Sequence, residues 1–229
     1  MSAIAVIPAR GGSRRIPRKN IRMFYGKPII AYSIETALGS GLFEKVVVST
    51  DDKEIAEVAR KYGAEVLDRP EALARDEVGT QEVMAHALSM FLGYDIACCI
   101  YPTAPMLSGD DLLSGMHVLL HPWATYTMSV NTEPLYDAGQ FYWGYTGAFI
   151  RRVPLIGLST AMIPIDKDRV CDINTEEDWV LAQLKYRCLM EGRLQKCSQT
   201  KQVRLGKCLS PSGVCDQTTC FDRCAWGDQ

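Results

Sequence analysis

Residues 3–20 read AIAVIPARGGSRRIPRKN, and this stretch decides the fold class. Its first part, residues 3–9, is apolar and rich in β-branched side chains, which predicts a buried strand. A loop with two adjacent glycines and five basic side chains follows at once. Ligands of open α/β sheets bind beyond the carboxyl ends of the strands, so this loop is predicted to lie at a ligand site.

Strand-like and helix-like segments alternate along the chain, a pattern typical of βαβ units around a mainly parallel sheet. The later predicted strands are residues 45–50, 65–67, 96–101, 125–130 and 141–145, and the predicted helices begin near residues 28, 51, 81, 110 and 175. Asp51 with Glu54, and Thr175 with Asp178, have the spacing of capping boxes. The pattern predicts a three-layer α/β fold.

The composition excludes several classes of protein. The chain has 229 residues, 47% hydrophobic and 23% charged, with a formal net charge of −2. A globular core can be buried, and a mainly disordered chain is excluded. The near-neutral charge argues against a nucleic-acid partner. No stretch approaches the ~20 apolar residues of a membrane span, and the N-terminus does not resemble a signal peptide, so we expect a cytoplasmic protein with no membrane partner.

The composition changes near residue 192. The stretch from there to the end holds five of the nine cysteines and few aliphatic side chains. We therefore predict one domain over residues 1–191 and a poorly ordered, cysteine-rich tail over residues 192–229. The tail lacks two close C-x-x-C pairs, so a zinc site is the weaker hypothesis for it.

The loop after the first strand has the chemistry of a phosphate site. Gly11 and Gly12 allow backbone N–H groups to converge on an anion, and Ser13 adds a hydroxyl group. Basic side chains that can neutralise a polyphosphate are Arg10, Arg14, Arg15, Arg18 and Lys19. The loop is neither a P-loop nor the G-x-G-x-x-G of dinucleotide-binding proteins. A solvated basic turn is the alternative, but it gives no reason for the glycines.

With its surroundings, this loop resembles the signature of the CMP-sialic acid synthetases, or acylneuraminate cytidylyltransferases. Further segments resemble family blocks in order and spacing: VVSTDD at 47–52, RPEALA at 69–74, PTAP at 102–105 and DINTEED at 172–178. YDAGQFYWG at 136–144 resembles the branch that acts on pseudaminic acid. The resemblance covers about residues 3–190 and implies a Rossmann-like nucleotidyltransferase fold.

The resemblance also implies a reaction and a set of roles. The anomeric hydroxyl group of a nine-carbon acidic sugar would attack the α-phosphate of CTP with the help of Mg²⁺, giving a CMP-sugar and pyrophosphate. Arg10 and Lys19 would hold the triphosphate. The implied substrate-binding residues are Gly11, Gly12, Ser13, Arg14, Asn20, Arg69, Thr80, Tyr101 and Gln140. Of these, Arg69 and Thr80 are expected at the cytosine, and Tyr101 and Gln140 at the sugar.

The metal ligands implied by the resemblance are Asp172 and the residue at position 174, which here is Asn174. An amide oxygen remains a ligand for a hard cation such as Mg²⁺, although the site loses one negative charge. The same segment has the pattern of a helix cap, Thr175 with Asp178, and both interpretations can hold together.

The chain is short where the family carries several tens of residues. Only residues 131–135 stand between the strand near Val130 and the block at Tyr136. In the family this segment implies a dimerisation arm that also serves the sugar site of the neighbouring subunit, so a homodimer would lack that contact here. A catalytically impaired, nucleotide-binding paralogue is therefore the alternative function. An interaction protein built around the cysteine-rich tail is a further alternative.

Overall fold

A computed structural model describes residues 1–192; residues 193–229 lie outside the described residues, and with them the five tail cysteines of the zinc hypothesis. The strands are β1 (Ala3–Pro8), β2 (Met23–Phe24), β3 (Lys27–Pro28), β4 (Lys45–Thr50), β5 (Glu65–Asp68), β6 (Ile96–Ile100), β7 (Tyr126–Thr132), β8 (Leu135–Tyr145) and β9 (Thr160–Ile165). The α-helices are α1 (Ile29–Gly39), α2 (Lys53–Lys61), α3 (Thr80–Met90), α4 (Gly109–Leu119), α5 (Thr146–Ile150) and α6 (Glu176–Met190). None of these helices is both long and apolar enough to cross a membrane.

The central sheet has the strand order β5-β4-β1-β6-β8-β7-β9. Strands β5, β4, β1 and β6 are parallel to one another, and β8 is antiparallel to both of its neighbours. Strand β9 is parallel to β7 at the edge. The predicted α/β fold with a mainly parallel sheet is confirmed. The loop after β1 therefore leaves from the carboxyl end of a central strand.

The core lies on both faces of the sheet because side chains alternate along each strand. On β1, Ala5 and Ile7 belong to the cluster that includes Ile34 of α1, whereas Ile4 and Val6 belong to the cluster that includes Leu88 of α3. All of these side chains are buried. Two helical layers therefore enclose the sheet, as the three-layer prediction requires.

The capping box predicted at Asp51 is wrong by one residue. Asp52 caps α2, with its Oδ1 accepting a hydrogen bond from the Ile55 N–H at 2.9 Å. Asp51 instead accepts a hydrogen bond from the backbone N–H of Gly11, at 3.0 Å. The capping box predicted at the start of α6, Thr175 with Asp178, is present in full.

The hairpin of β7 and β8 fills the region where the sequence is short. Only Glu133 and Pro134 connect the two strands, and the peptide bond between them is cis. Strand β8 begins at Leu135, well before the predicted start at 141. Strand β9, which contains Pro164, is not among the predicted strands; its position at the sheet edge explains why a proline is tolerated.

A partly buried ion pair joins α4 to the segment that precedes α6. The Arg169 guanidinium donates to Asp111 through Nη1 to Oδ2 at 2.6 Å and through Nη2 to Oδ1 at 2.7 Å. The two side chains are only 22% and 10% exposed. Burial alone would raise the pKa of Asp111, but hydrogen bonds from Arg169 and Ser108 outweigh it and hold that pKa below its usual value. The pair thus anchors the segment that carries Asp172.

We predict that Asp111→Asn lowers the free energy of unfolding by about 2 kcal/mol at neutral pH, because the partly buried Arg169 loses its counter-charge and two charge-assisted hydrogen bonds. The pKa of Asp111 is lower in the folded chain, so this stabilisation is present above the unfolded-state pKa and is lost as the pH falls through the folded-state pKa. The difference in the free energy of unfolding between wild type and Asp111→Asn should therefore shrink as the pH falls. Urea denaturation across that pH range measures it.

Asp110→Asn is the matched control, since Asp110 is the exposed neighbour in the same helical turn. It should change the free energy of unfolding by less than about 0.5 kcal/mol. Equal stability of the two variants would show that the pair with Arg169 contributes nothing.

Candidate active site

A pocket of about 190 Å³ lies at the carboxyl ends of β1 and β6. These strands are parallel neighbours, so the loops that follow them meet at one edge of the sheet. The lining residues are Pro8, Arg10, Ser13, Arg14, Arg15, Ile16, Lys19, Asn20, Tyr101, Pro102 and Thr103. The structure thus brings together six of the site residues implied by the sequence: Arg10, Ser13, Arg14, Lys19, Asn20 and Tyr101.

The two glycines of the loop have different surroundings. A Cβ atom on Gly11 would lie 2.7 Å from Oδ2 of Asp52, so a larger residue would push this carboxylate away from α2. A Cβ atom on Gly12 would meet no atom within 4 Å. Close approach of the loop to α2 therefore requires glycine at position 11 only. Position 12 faces open space.

Arg10 and Arg14 share one carboxylate. Arg10 Nη1 lies 2.5 Å from Asp76 Oδ1, and Arg14 Nε lies 3.1 Å from Asp76 Oδ2. Arg10 Nη1 also lies 3.5 Å from the carbonyl oxygen of Ala74. Asp76 belongs to the segment between β5 and α3 and was not identified from the sequence, because no motif or periodicity marks it. Two cations of the pocket are thereby held in place.

Lys19 connects the loop to the segment before α6. Its Nζ donates a hydrogen bond to the carbonyl oxygen of Ile173 at 2.7 Å. Burial lowers the pKa of Lys19, the nearby charge of Arg15 lowers it further, and Asp172 opposes the shift. The Lys19 ammonium is therefore a partly desolvated cation at the wall of the pocket, where it interacts with an anion more strongly than in open water.

The remaining basic residues of the loop diverge. Arg18 turns away from the pocket: it pairs with Asp52, and its Nη2 donates to Glu54 Oε2 at 2.7 Å. Arg15 is exposed, lines the pocket and forms no ion pair within the part of the chain that the structure describes. Arg15 is thus a cation open to an anionic ligand, although the resemblance gave it no role.

Three polar residues that were predicted to contact the substrate form hydrogen bonds within the protein in this structure. Asn20 is buried and donates from Nδ2 to the carbonyl oxygen of Arg10 at 2.9 Å. Gln140 is 2% exposed and donates from Nε2 to the carbonyl oxygen of Arg169 at 2.8 Å, while its Oε1 is buried without a partner. Asn20 lines the pocket and Gln140 does not. Thr80 shares a 2.8 Å hydrogen bond with the Tyr101 hydroxyl group, also outside the lining.

Arg69 is buried beside β4. Its Nη2 donates to the carbonyl oxygen of Ser49 at 2.6 Å, and its Nε donates to the Ser49 hydroxyl group at 3.2 Å. Burial lowers the pKa of Arg69 to about 10. This side chain does not line the pocket, so its expected position at a cytosine stays a prediction.

Asp172 and Asn174 flank Ile173, the residue whose carbonyl oxygen binds Lys19. The Asp172 side chain is exposed and forms no hydrogen bond or ion pair with the described residues; the Asn174 side-chain amide likewise makes no such hydrogen bond. Oxygen donors of this kind fit a hard divalent cation. Residues 1–192 contain no cluster of three or more histidine, cysteine or acidic side chains that could hold a metal. A cation here would therefore need further ligands from substrate or water.

The chain is similar to known cytidylyltransferases. The family model described as Cytidylyltransferase matches residues 4–133, more than half of the chain. A pseudaminic acid cytidylyltransferase from Campylobacter jejuni is 33% identical over 225 residues, which is 82% of this chain and 97% of the relative. A CMP-N,N'-diacetyllegionaminic acid synthase from Legionella pneumophila is 44% identical over 52% of this chain and 53% of the relative.

Solved structures share the fold. CMP:2-keto-3-deoxy-manno-octonic acid synthetase, solved as a complex with CTP, superposes with a TM-score of 0.64 at 16% identity. The superposition covers 87% of this chain and 100% of that protein. At this level of identity the likeness bears on the fold alone.

We predict that the affinity of the pocket for inorganic tripolyphosphate falls as the pH rises through the lowered pKa of Lys19. The pKa of Lys19 lies below the value of 10.5 for an ordinary lysine. Once the ammonium group has lost its proton, it no longer attracts the anion. Lys19→Gln should bind tripolyphosphate weakly at neutral pH and lack this alkaline decline. Calorimetric titration at a series of alkaline pH values tests it.

Lys53→Gln serves as the control, because Lys53 is exposed in the first turn of α2. An alkaline decline of equal size in Lys19→Gln would assign the titration to another group.

Proposed function

The chain belongs to the cytidylyltransferase family, and from that premise we propose that it transfers CMP from CTP to the anomeric hydroxyl group of a nonulosonic acid, releasing pyrophosphate. Pseudaminic acid is the first candidate for the acceptor, because the pseudaminic acid cytidylyltransferase from C. jejuni is 33% identical to this chain over 97% of that relative's length. The structural observation that carries the proposal is the group of Arg10, Arg14, Arg15 and Lys19 around one pocket at the end of β1.

Nucleotidyl transfer requires alignment and charge neutralisation more than it requires a covalent catalyst. The anomeric hydroxyl oxygen forms a bond to the α-phosphorus and its proton passes to solvent, while the bond to the bridging oxygen breaks and pyrophosphate leaves with the electron pair. Negative charge therefore grows on the leaving group. We propose that Arg10 and Lys19 stabilise it and that the Ser13 hydroxyl group orients a phosphate oxygen, because all three residues line the pocket. The lining contains neither cysteine nor histidine, consistent with direct transfer.

The acceptor sugar is proposed to enter beside Tyr101. This residue lines the pocket with Pro102 and Thr103, on the side provided by the loop after β6. The hydrogen bond to Thr80 fixes the Tyr101 hydroxyl group. Gln140 as a sugar ligand stays a prediction, since its amide nitrogen is already bound to the Arg169 carbonyl group.

Cytidylyltransferases generally need a divalent metal. We infer that Mg²⁺ is the ion and that Asp172 and Asn174 contribute its protein ligands, because both offer oxygen atoms that are free of hydrogen bonds to the described residues. When bound, such an ion acts as a Lewis acid on the phosphate oxygens. The Lys19–Ile173 hydrogen bond keeps this segment against the proposed phosphate loop, which is formed by residues 10–20 after β1.

The impaired-paralogue alternative is not favoured, since the matching relatives bear the names of active synthetases. The alignment with the C. jejuni relative is longer than the part of this chain that it covers, so this chain has gaps against it. The two-residue connection of β7 and β8 agrees with a missing arm. The oligomeric state and the cytoplasmic location stay predictions.

The decisive experiment is pyrophosphate release with CTP, Mg²⁺ and, in separate reactions, pseudaminic, legionaminic and N-acetylneuraminic acid. We expect release with pseudaminic acid. Arg10→Ala should lower kcat/KM by about 10²–10³, the cost typical of losing one preorganised donor to developing charge. Arg60→Ala, on the exposed side of α2, is the control and should behave as wild type. No release with any sugar, while CTP still binds, would sink the proposal in favour of an impaired paralogue.

A second prediction concerns the metal. Asn174→Asp restores a second carboxylate beside Asp172, so the Mg²⁺ concentration for half-maximal rate should fall several-fold with kcat unchanged or higher. Titration of the rate with Mg²⁺ measures both quantities. Gln183→Glu on α6 adds the same charge away from the proposed ligands and should leave the titration unchanged. A lower rate in Asn174→Asp would remove residue 174 from the metal site.

A further inference from the structure

Asp76 binds arginine side chains that an anionic substrate would also bind. Its two oxygens contact two different arginines of the pocket, Arg10 at 2.5 Å and Arg14 at 3.1 Å. Charge-assisted contacts of this kind are the ones that arginine makes with phosphate oxygens. The carboxylate thus has the contacts that two phosphate oxygens would have.

The segment 70–79 depends on these contacts. Just before and just after it, the Arg69 N–H donates to the Thr50 carbonyl oxygen at 2.8 Å and Thr80 bonds Tyr101 at 2.8 Å. Within residues 1–192, the hydrogen bonds and ion pairs that leave segment 70–79 run to Arg10 and Arg14. Asp76 is therefore the charged link between this segment and the phosphate loop.

The pocket is also small for its proposed ligand. Its volume of about 190 Å³ lies below the roughly 300–1,000 Å³ of ordinary small-molecule sites. A nucleoside triphosphate that enters it needs both additional room and the charges of Arg10 and Arg14. The charges become available if the Asp76 carboxylate releases both arginines.

We propose that Asp76 is an internal competitor for the phosphate pocket, which occupies Arg10 and Arg14 before the nucleotide arrives and yields them to the triphosphate. This inference rests on the proposed function in one respect, namely that the arriving anion is the triphosphate of CTP. Carboxylate and triphosphate compete for the same two guanidinium groups. The competition sets the affinity for the nucleotide according to its phosphate charge.

The expected effect is moderate, because Arg10 and Asp76 are each 34% exposed and Arg14 is 85% exposed. Exposed ion pairs are weak, so removing the competitor should strengthen CTP binding by roughly three- to tenfold. A nucleoside without phosphate does not need the arginines, and its affinity should be unchanged. Asp76→Asn retains the shape of the side chain and removes only its charge.

The experiment is calorimetric titration of wild type and Asp76→Asn with cytidine, CMP, CTP and inorganic tripolyphosphate. The gain in affinity should be absent for cytidine, small for CMP and largest for CTP and tripolyphosphate. Glu77→Gln is the matched control: Glu77 is the exposed neighbour of Asp76 and forms no ion pair with the described residues. It removes an equal charge from the same segment and should give less than a twofold change.

The Arg10→Ala/Arg14→Ala background completes the test. There the gain from Asp76→Asn should vanish, since no shared guanidinium group remains. A gain of undiminished size in that background would show a long-range charge effect and overturn the proposal, as would unchanged or weaker binding of tripolyphosphate by Asp76→Asn. The tripolyphosphate titration requires neither CTP specificity nor turnover, so failure of the proposed function would be recognised separately, by equal binding of other nucleoside triphosphates or by absent pyrophosphate release.

Discussion

The concentration of positive charge at the carboxyl end of β1 is the constraint that the surrounding structure has to satisfy. Four cations line one pocket of about 190 Å³. Burial lowers the pKa of Lys19, and the nearby charges of Arg15 and Arg10 lower it further. Each of three neighbouring elements offsets part of this charge. Asp76 pairs with Arg10 and Arg14, the Ile173 carbonyl group accepts from Lys19, and Asp52 draws Arg18 away toward α2. The loop after β1 is thus contacted by segments that are distant from it in sequence.

Local pattern was enough to predict the strands that fix the architecture and the loop that follows β1, because hydrophobic alternation and adjacent glycines are properties of short segments. Local pattern was not enough where two residues or two structures are equally compatible with the local sequence. Asp51 and Asp52 are both suitable caps for α2, and the choice between them depends on Gly11, whose N–H binds Asp51. The early start of β8 at Leu135 is similar: Asp137 and Gly139 disfavour a strand, and pairing with β7 overrides them.

The residues of the candidate site likewise differ in whether local sequence could predict their position. Arg10, Ser13, Arg14 and Lys19 lie close together in sequence, so their convergence on one pocket follows from the position of a single loop. Asp76 is more than sixty residues away and belongs to no motif, and only tertiary structure could place it on Arg10. Residues assigned through family resemblance are of a third kind. Gln140 and Arg69 are largely engaged by backbone carbonyl groups in this structure, so their contacts to a substrate depend on the substrate itself.

The segment before α6 is held from two sides, and this bears on the substitution at position 174. At Arg169 it is tied to Asp111 at the N-terminus of α4, and at Ile173 it is tied to Lys19 of the loop after β1. The α6 cap adds a third contact, since Asp178 accepts from the backbone N–H of Asn174 at 2.9 Å. These anchors act on backbone groups and on Arg169, not on the side chain at 174. With Asn174 in place of the aspartate that the family resemblance implies, the proposed site therefore offers a cation less negative charge, while the backbone at this position keeps the same anchors.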